Sequence, residues 1–240
     1  REGAESLSGS VFLSYTTEED FVIDLSSSDT SELTVPAQVT IPGGSSSQNF
    51  VITVVDDGEK DGSQSVTLTA SAPTFTTGTR TITVIDDEVD HFELGAIVTP
   101  QVRGAPFTSR VTAKTVDNVT VSEYQGSPSL TADDGGAPLA VSPSLVSGFA
   151  NGYADVAVTV NDFASAAVLT VADSSVAATG SSNAFAVELG SLHHFGWSAI
   201  ESPQFVDSPF SAVITAQDLG GNTMTDFTGS ADLFVPAETV

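Results

Sequence analysis

The chain contains one pattern twice, and that repeat constrains the fold more than any other feature. The segment from His91 reads HFELGAIVTPQVRGAPFTSRVTAKTVDNVTVSEYQGSPSL. The segment from His194 reads HFGWSAIESPQFVDSPFSAVITAQDLGGNTMTDFTGSADL. They align without a gap at an offset of 103, and 14 of the 40 positions are identical. Matched pairs include His91/His194, Phe92/Phe195, Pro100/Pro203, Phe107/Phe210, Ala113/Ala216, Gly126/Gly229 and Leu130/Leu233. A gapless period of this size is the mark of tandem modules, each its own supersecondary unit. It divides the chain into residues 1–90, residues 91–193, and a further copy from 194 to 240 that reaches half its expected length. Half a sandwich exposes a core face and a strand edge. Either the rest lies outside this sequence or another chain completes it. The chain opens on Arg1 rather than Met, which reads as an internal segment of something longer.

Within each unit the apolar residues alternate with a period of two. Phe50, Ile52 and Val54 share one face, as do Val66 and Leu68, Ile82 and Val84, and Ala154, Val156, Val158 and Val160. Clusters such as IPGGSSSQ, DDGEKDG, ADDGGAP and DLGGN separate the runs. Short alternating strands between turn clusters predict an all-β chain of immunoglobulin-like β-sandwiches in a rod-like tandem array. No stretch keeps a 3.6-residue period for three turns. Phe107 and Phe210 are expected as core anchors and Gly126 and Gly229 as turn or bulge positions. Trp197 and Phe195 are expected to pack against a core or a domain junction.

The chemistry is narrow. There are 31 acidic and 6 basic residues, for a formal charge of −25. Such a surface repels nucleic acid, whose binding needs Lys and Arg to displace counterions. It attracts cations. No apolar run is long enough to insert in a membrane as a helix. With no cysteine there is no thiolate metal site and no thiol nucleophile. The three histidines are His91, His193 and His194, and two of them open copies of the repeat, which suits a junction better than catalysis. There is no G-x-S-x-G elbow, no H-E-x-x-H and no phosphate loop. The chain therefore reads as non-enzymatic. The acids are uneven: 16 lie in residues 1–90, 9 in 91–193 and 6 in 194–240. A cation site belongs in the first unit.

That first unit resembles a bacterial Calx-beta domain. The likeness rests on the opening Glu-Gly, on SSSDTSELTVPAQVTIPGG, on NFVITVVDDGEKDGSQSVTLTAS and on the closing TITVIDDE. It implies a β-sandwich and, in the calcium-binding members, carboxylates converging from one end on the ions. Carried over by position, the metal ligands are Glu2, Asp56, Asp57, Asp61, Asp86, Asp87 and Glu88. Gln64 stands where the family usually has Glu. Ser31, with Glu32 beside it, stands where an Asp is frequent. This smaller set implies weaker calcium binding or none. The later units resemble the immunoglobulin-like repeats of large bacterial surface proteins, which imply no activity.

These readings converge on a secreted bacterial surface protein in which this segment is a stalk, fibre or adhesin module, with calcium able to stiffen it. Its expected partners are neighbouring domains, further copies in a fibre, or a surface or matrix ligand. The linkers VIDDEVDHF and VELGSLHHF have no flexible spacer, so adjoining units have limited freedom. An accessory region of a secreted multidomain enzyme, and a carbohydrate- or protein-binding module, are the alternatives.

Overall fold

The computed structural model describes residues 1–2 and 6–233. Among the described residues every regular element is a strand, and there is no helix. The chain is all-β.

The first body contains β1 (Leu7–Phe12), β2 (Phe21–Ser27), β3 (Leu33–Thr34), β4 (Gln38–Ile41), β5 (Ser47–Val54), β6 (Gln64–Ser71) and β7 (Gly78–Val84). They form an antiparallel sheet β1–β5–β3 facing an antiparallel sheet β4–β2–β6–β7. The predicted apolar face of β5 is the buried one, with Ile52 and Val54 turned inward beside Val66 and Val84. The core between the sheets is in two parts. Val11, Ile23, Leu25, Val39 and Ile41 form one, and Leu33, Ile52, Val54, Val66 and Val84 the other. Val35 and Phe50 touch both. An apolar cleft of ≈ 450 Å³ opens along the sandwich, lined by residues that include Phe12, Phe50, Leu68 and Ile82.

The second body contains β8 (His91–Leu94), β9 (Gln101–Val102), β10 (Phe107–Lys114), β11 (Ser129–Asp134), β12 (Ala137–Leu139), β13 (Val141–Ser142), β14 (Tyr153–Val160), β15 (Ala164–Asp173), β16 (Ala178–Ser181) and β17 (Phe185–Glu188). The ladder runs β12–β11–β15–β16–β8–β10–β14–β13, and β17 pairs with both β15 and β9. Most pairs are antiparallel, but β16–β8 and β17–β9 are parallel. One continuous core of 21 buried residues fills this body. Strand β14 shows its cause: Ala154, Val156, Val158 and Val160 all point inward while their neighbours face out or lie half-buried. Each such valine contributes roughly 1.5–3 kcal/mol by leaving water.

Two further strands, β18 (His194–Trp197) and β19 (Ile214–Gln217), form a hairpin. Its register repeats that of β8 and β10 at the offset of 103: Phe92 faces Ala113, and Phe195 faces Ala216. The following turns match too. Thr115 N–H donates to Val119 O and Asn118 N–H to Thr115 O, just as Asp218 N–H donates to Asn222 O and Gly221 N–H to Asp218 O. An edge-on aromatic pair also recurs, Phe92–Tyr124 at 5.4 Å and Phe195–Phe227 at 5.6 Å.

Three expectations need correction. Gly126 and Gly229 lack the left-handed backbone of a turn glycine; they leave room for an aromatic ring. A Cβ on Gly126 would lie 2.2 Å from the Tyr124 hydroxyl, and one on Gly229 would lie 2.5 Å from Cζ of Phe227. Phe107 is half-buried against Phe185, but its counterpart Phe210 is exposed. Phe195 is half-buried, whereas Trp197 is 52% exposed and joins no apolar cluster among the described residues.

Candidate metal centre

Four stretches of the first body meet at one end of the sandwich. The loop from Val55 to Ser63, between β5 and β6, carries Asp56, Asp57 and Asp61. The segment after β7 carries Asp86, Asp87 and Glu88. Glu2 joins them because its N–H donates to Ile85 O at 3.0 Å, which lays the start of the chain beside the end of β7. Glu32 joins them because its carbonyl accepts from Val55 N–H at 2.8 Å, while the next residue, Leu33, is fully buried and locks the segment in place.

Carboxylate oxygens of Glu2, Asp56, Asp87 and Glu88 lie within 4.8 Å of one another, and so do those of Glu2, Glu32 and Asp61. Glu2 belongs to both groups and is only 3% exposed. Neither of its carboxylate oxygens has a hydrogen-bond partner among the described residues. One oxygen of Glu32 and one of Glu88 are likewise buried without a partner. A buried carboxylate left without partners costs several kcal/mol unless it takes up a proton or finds a cation.

The electrostatics follow. Burial, then the charges of Glu32, Glu88, Asp57 and Asp86, push the Glu2 carboxyl up to about 8. Burial and the neighbouring Asp86 and Asp87 push Glu88 up to about 7. Glu32 is raised by burial and then by Asp61, Asp57, Asp29 and Asp86. Asp87 is raised by burial, against the pull of the Arg1 guanidinium 3.2 Å away.

Two residues of the expected set are engaged otherwise. Asp86 is buried, but its Oδ1 accepts from Glu88 N–H at 2.9 Å and its Oδ2 from Gly62 N–H at 3.2 Å. Asp57 Oδ1 accepts from Glu59 N–H at 2.9 Å. Both shape turns through the local bonding that Asp favours there, and both add negative potential to the cluster without joining either group. Of the expected ligands, the structure gathers Glu2, Asp56, Asp61, Asp87 and Glu88. It adds Glu32, which the family pattern passes over in favour of position 31. Ser31 turns instead to Asp29, donating its N–H to Oδ1 at 3.0 Å. Gln64 reaches only the Asp61 carbonyl, at 3.5 Å. His91 contacts Asp90, and His193 and His194 stack edge-on; among the described residues no histidine joins either of the two acidic groups above.

No protein-family profile matches the chain, and no curated protein matches it. Solved structures give distant likenesses. The chain is similar to CBD12 from CALX1.2, with 11% identity over 71% of this chain and 74% of that one, at a TM-score of 0.37. It is similar to the S-layer protein rSbsC, with 16% identity over 86% of this chain and a TM-score of 0.37. Only 24% of the S-layer chain is covered. The Pseudomonas aeruginosa CupB2 chaperone gives 11% identity over 74% and 91%, with a TM-score of 0.28.

The donor set consists of oxygen alone. Hard divalent cations with six to eight oxygen ligands suit such a set, and ligand oxygens around calcium stand at most about 5 Å apart. Charge, spacing and orphaned oxygens all fit a divalent ion.

Proposed function

We propose that this chain is a non-catalytic, calcium-stabilised segment of a secreted bacterial surface protein, serving as a stalk, fibre or adhesin module. The units run over residues 1–90, 91–193 and 194–240, the last including residues 234–240, which lie outside the described ones. The single observation that carries the reading is the Glu2 carboxylate, buried inside a ring of acids with neither oxygen partnered among the described residues. Calcium bound by Glu2, Glu32, Asp56, Asp61, Asp87 and Glu88 satisfies that group and cancels the repulsion around it. Extracellular calcium modules work at calcium levels of about 10⁻⁴–10⁻³ M, and a surface location would supply such levels.

The site also adjoins the first joint of the chain. Lys60, in the same loop as Asp56 and Asp61, donates to the carbonyl of Val176 in the second body. Arg1 bridges Asp87 to Ser122 and Glu123. An ion that fixes the loop therefore fixes the joint. Its partners are the adjoining units, with a surface or matrix ligand or further copies beyond them.

Calorimetric titration with calcium tests the reading. The whole chain is expected to bind at millimolar levels or tighter, and Glu2→Gln to lose about tenfold or more in affinity. A chain that takes up no calcium at millimolar concentration sinks the proposal. Small-angle scattering with and without EDTA tests the stiffening: an unchanged maximum dimension refutes it.

A further inference from the structure

The sequence DLGGN at 218–222 looks like an ordinary surface turn, but Asp218 is fully buried and Asn222 is 8% exposed. What buries them is the second body. Gly190 N–H donates to Asp218 Oδ2 at 2.8 Å. Arg103 Nε donates to Asn222 Oδ1 at 2.7 Å, and Asn222 Nδ2 returns a bond to Arg103 O at 2.6 Å. The two backbones touch where neither has a side chain. A Cβ on Gly220 would lie 1.9 Å from Arg103 O, and one on Gly104, at φ +74°, would lie 3.1 Å from Gly220 O.

The matching turn of the earlier copy, 115–119, does the same to the first body. Asp117 Oδ2 accepts from Ser63 N–H at 2.6 Å. A Cβ on Gly62, at φ +85°, would lie 3.0 Å from Val116 Cγ1 and 3.1 Å from the Asp117 carboxylate. Thr115, the counterpart of Asp218, is also buried. Both turns thus pack against a glycine of the body before them, Gly62 at the first joint and Gly104 at the second.

We infer that this turn is the docking surface of the repeat: each copy uses it to seat on the preceding unit, and its sequence is set by what that unit presents. Before the second copy lies another repeat, whose Arg103 and Gly190 offer a guanidinium, a carbonyl and an N–H. The turn answers with Asp218 and Asn222. Burial opposes ionisation of Asp218, but the Asn222 side chain and the N–H groups of Gly190, Asn222 and Gly220 outweigh it and lower its pKa. Before the first copy lies the acidic sandwich, which offers the bare N–H of Ser63. There the motif is absent, and Asp117 alone makes the polar contact from the turn. The docking needs no cation at the second joint.

The chain has no cysteine, so paired spin labels can be placed cleanly at two introduced cysteines, Thr131→Cys and Thr225→Cys. Both positions are exposed, one on each side of the second joint. In EDTA, the otherwise unaltered chain is expected to give one narrow distance distribution. Arg103→Ala and Asn222→Ala are each expected to broaden it roughly twofold, as a freed domain pair does. Amide spectra report whether each body stays folded. Arg103→Ala acts from the receiving side, so a broadening shared by both variants cannot come from collapse of the turn alone. At the first joint, Asp117→Ala is expected to broaden the corresponding distribution while Arg103→Ala leaves it unchanged. Distributions that stay narrow in Arg103→Ala and Asn222→Ala overturn the inference, whatever calcium does at the other end.

Discussion

The first and second bodies are built from the same alternating strands but hold together differently. The second closes one continuous core, from Val89 to Val187, with no carboxylate inside it. The first splits its core in two, leaves an apolar cleft of ≈ 450 Å³ alongside, and buries Glu2 and Glu32 at one end. Packing of a full core to crystal-like density is self-sufficient. A split core with uncompensated charge at its end is conditional on what neutralises that charge. One strand pattern thus yields one body that rests on apolar burial and another that, in the proposed reading, also relies on an added ion.

Core truncation gives the largest contrast. Leu169→Ala, at a fully buried site of the second body, is expected to cost about 2–5 kcal/mol, whereas Leu68→Ala, half-buried at the cleft, costs about 1 kcal/mol. Chemical denaturation with separate probes of each body measures both, and equal losses would break the contrast. The pH response comes next. Glu2 and Glu88 bind protons more tightly in the folded state than in the unfolded chain. Without calcium, the stability they favour is therefore present at low pH and lost as pH rises from the ordinary carboxylate range through about 7 to 8. In EDTA, the melting temperature of the first body is expected to fall by about 5 °C or more between pH 5 and pH 8, while that of the second moves little. Calcium should abolish the fall. A first body as insensitive to pH as the second would contradict the reading. The smallest effect belongs to Arg110, whose two bonds to Asp155, at 2.8 and 2.7 Å, lie on the exposed face of the second body. Arg110→Ala is expected to cost at most about 1 kcal/mol by thermal denaturation.

The strands and their inward faces were legible because a period of two leaves little choice about which side is buried. The hairpin register at 194–217 was legible because it repeats residue for residue at the offset of 103. Burial in that hairpin was not. Val111 and Ile214 are matched positions, yet Val111 is fully buried and Ile214 is 41% exposed, because the strands covering Val111 come from distant sequence. Most of the acid cluster was readable from DD, D and DDE at strand ends. Glu32 was hidden because its inward turn depends on the brief pairing of β3 with β5, which no local pattern announces. The backbone N–H bonds that Asp57 and Asp86 accept, outside the two carboxylate groups, are not visible in the sequence. The turn at 218–222 was hidden for the opposite reason: its residues are those of a free surface turn, and only the neighbouring body reveals their use.

The parallel pairing of β9 with β17 bears on what happens when such a chain is pulled. Strand β9 lies near the entry of the second body and β17 near its exit, and Val187 and Glu188 run alongside Gln101 and Val102 in the same direction. Tension applied through the two ends drags these strands past each other along their length. The bonds between them are loaded together in shear and not peeled open one after another.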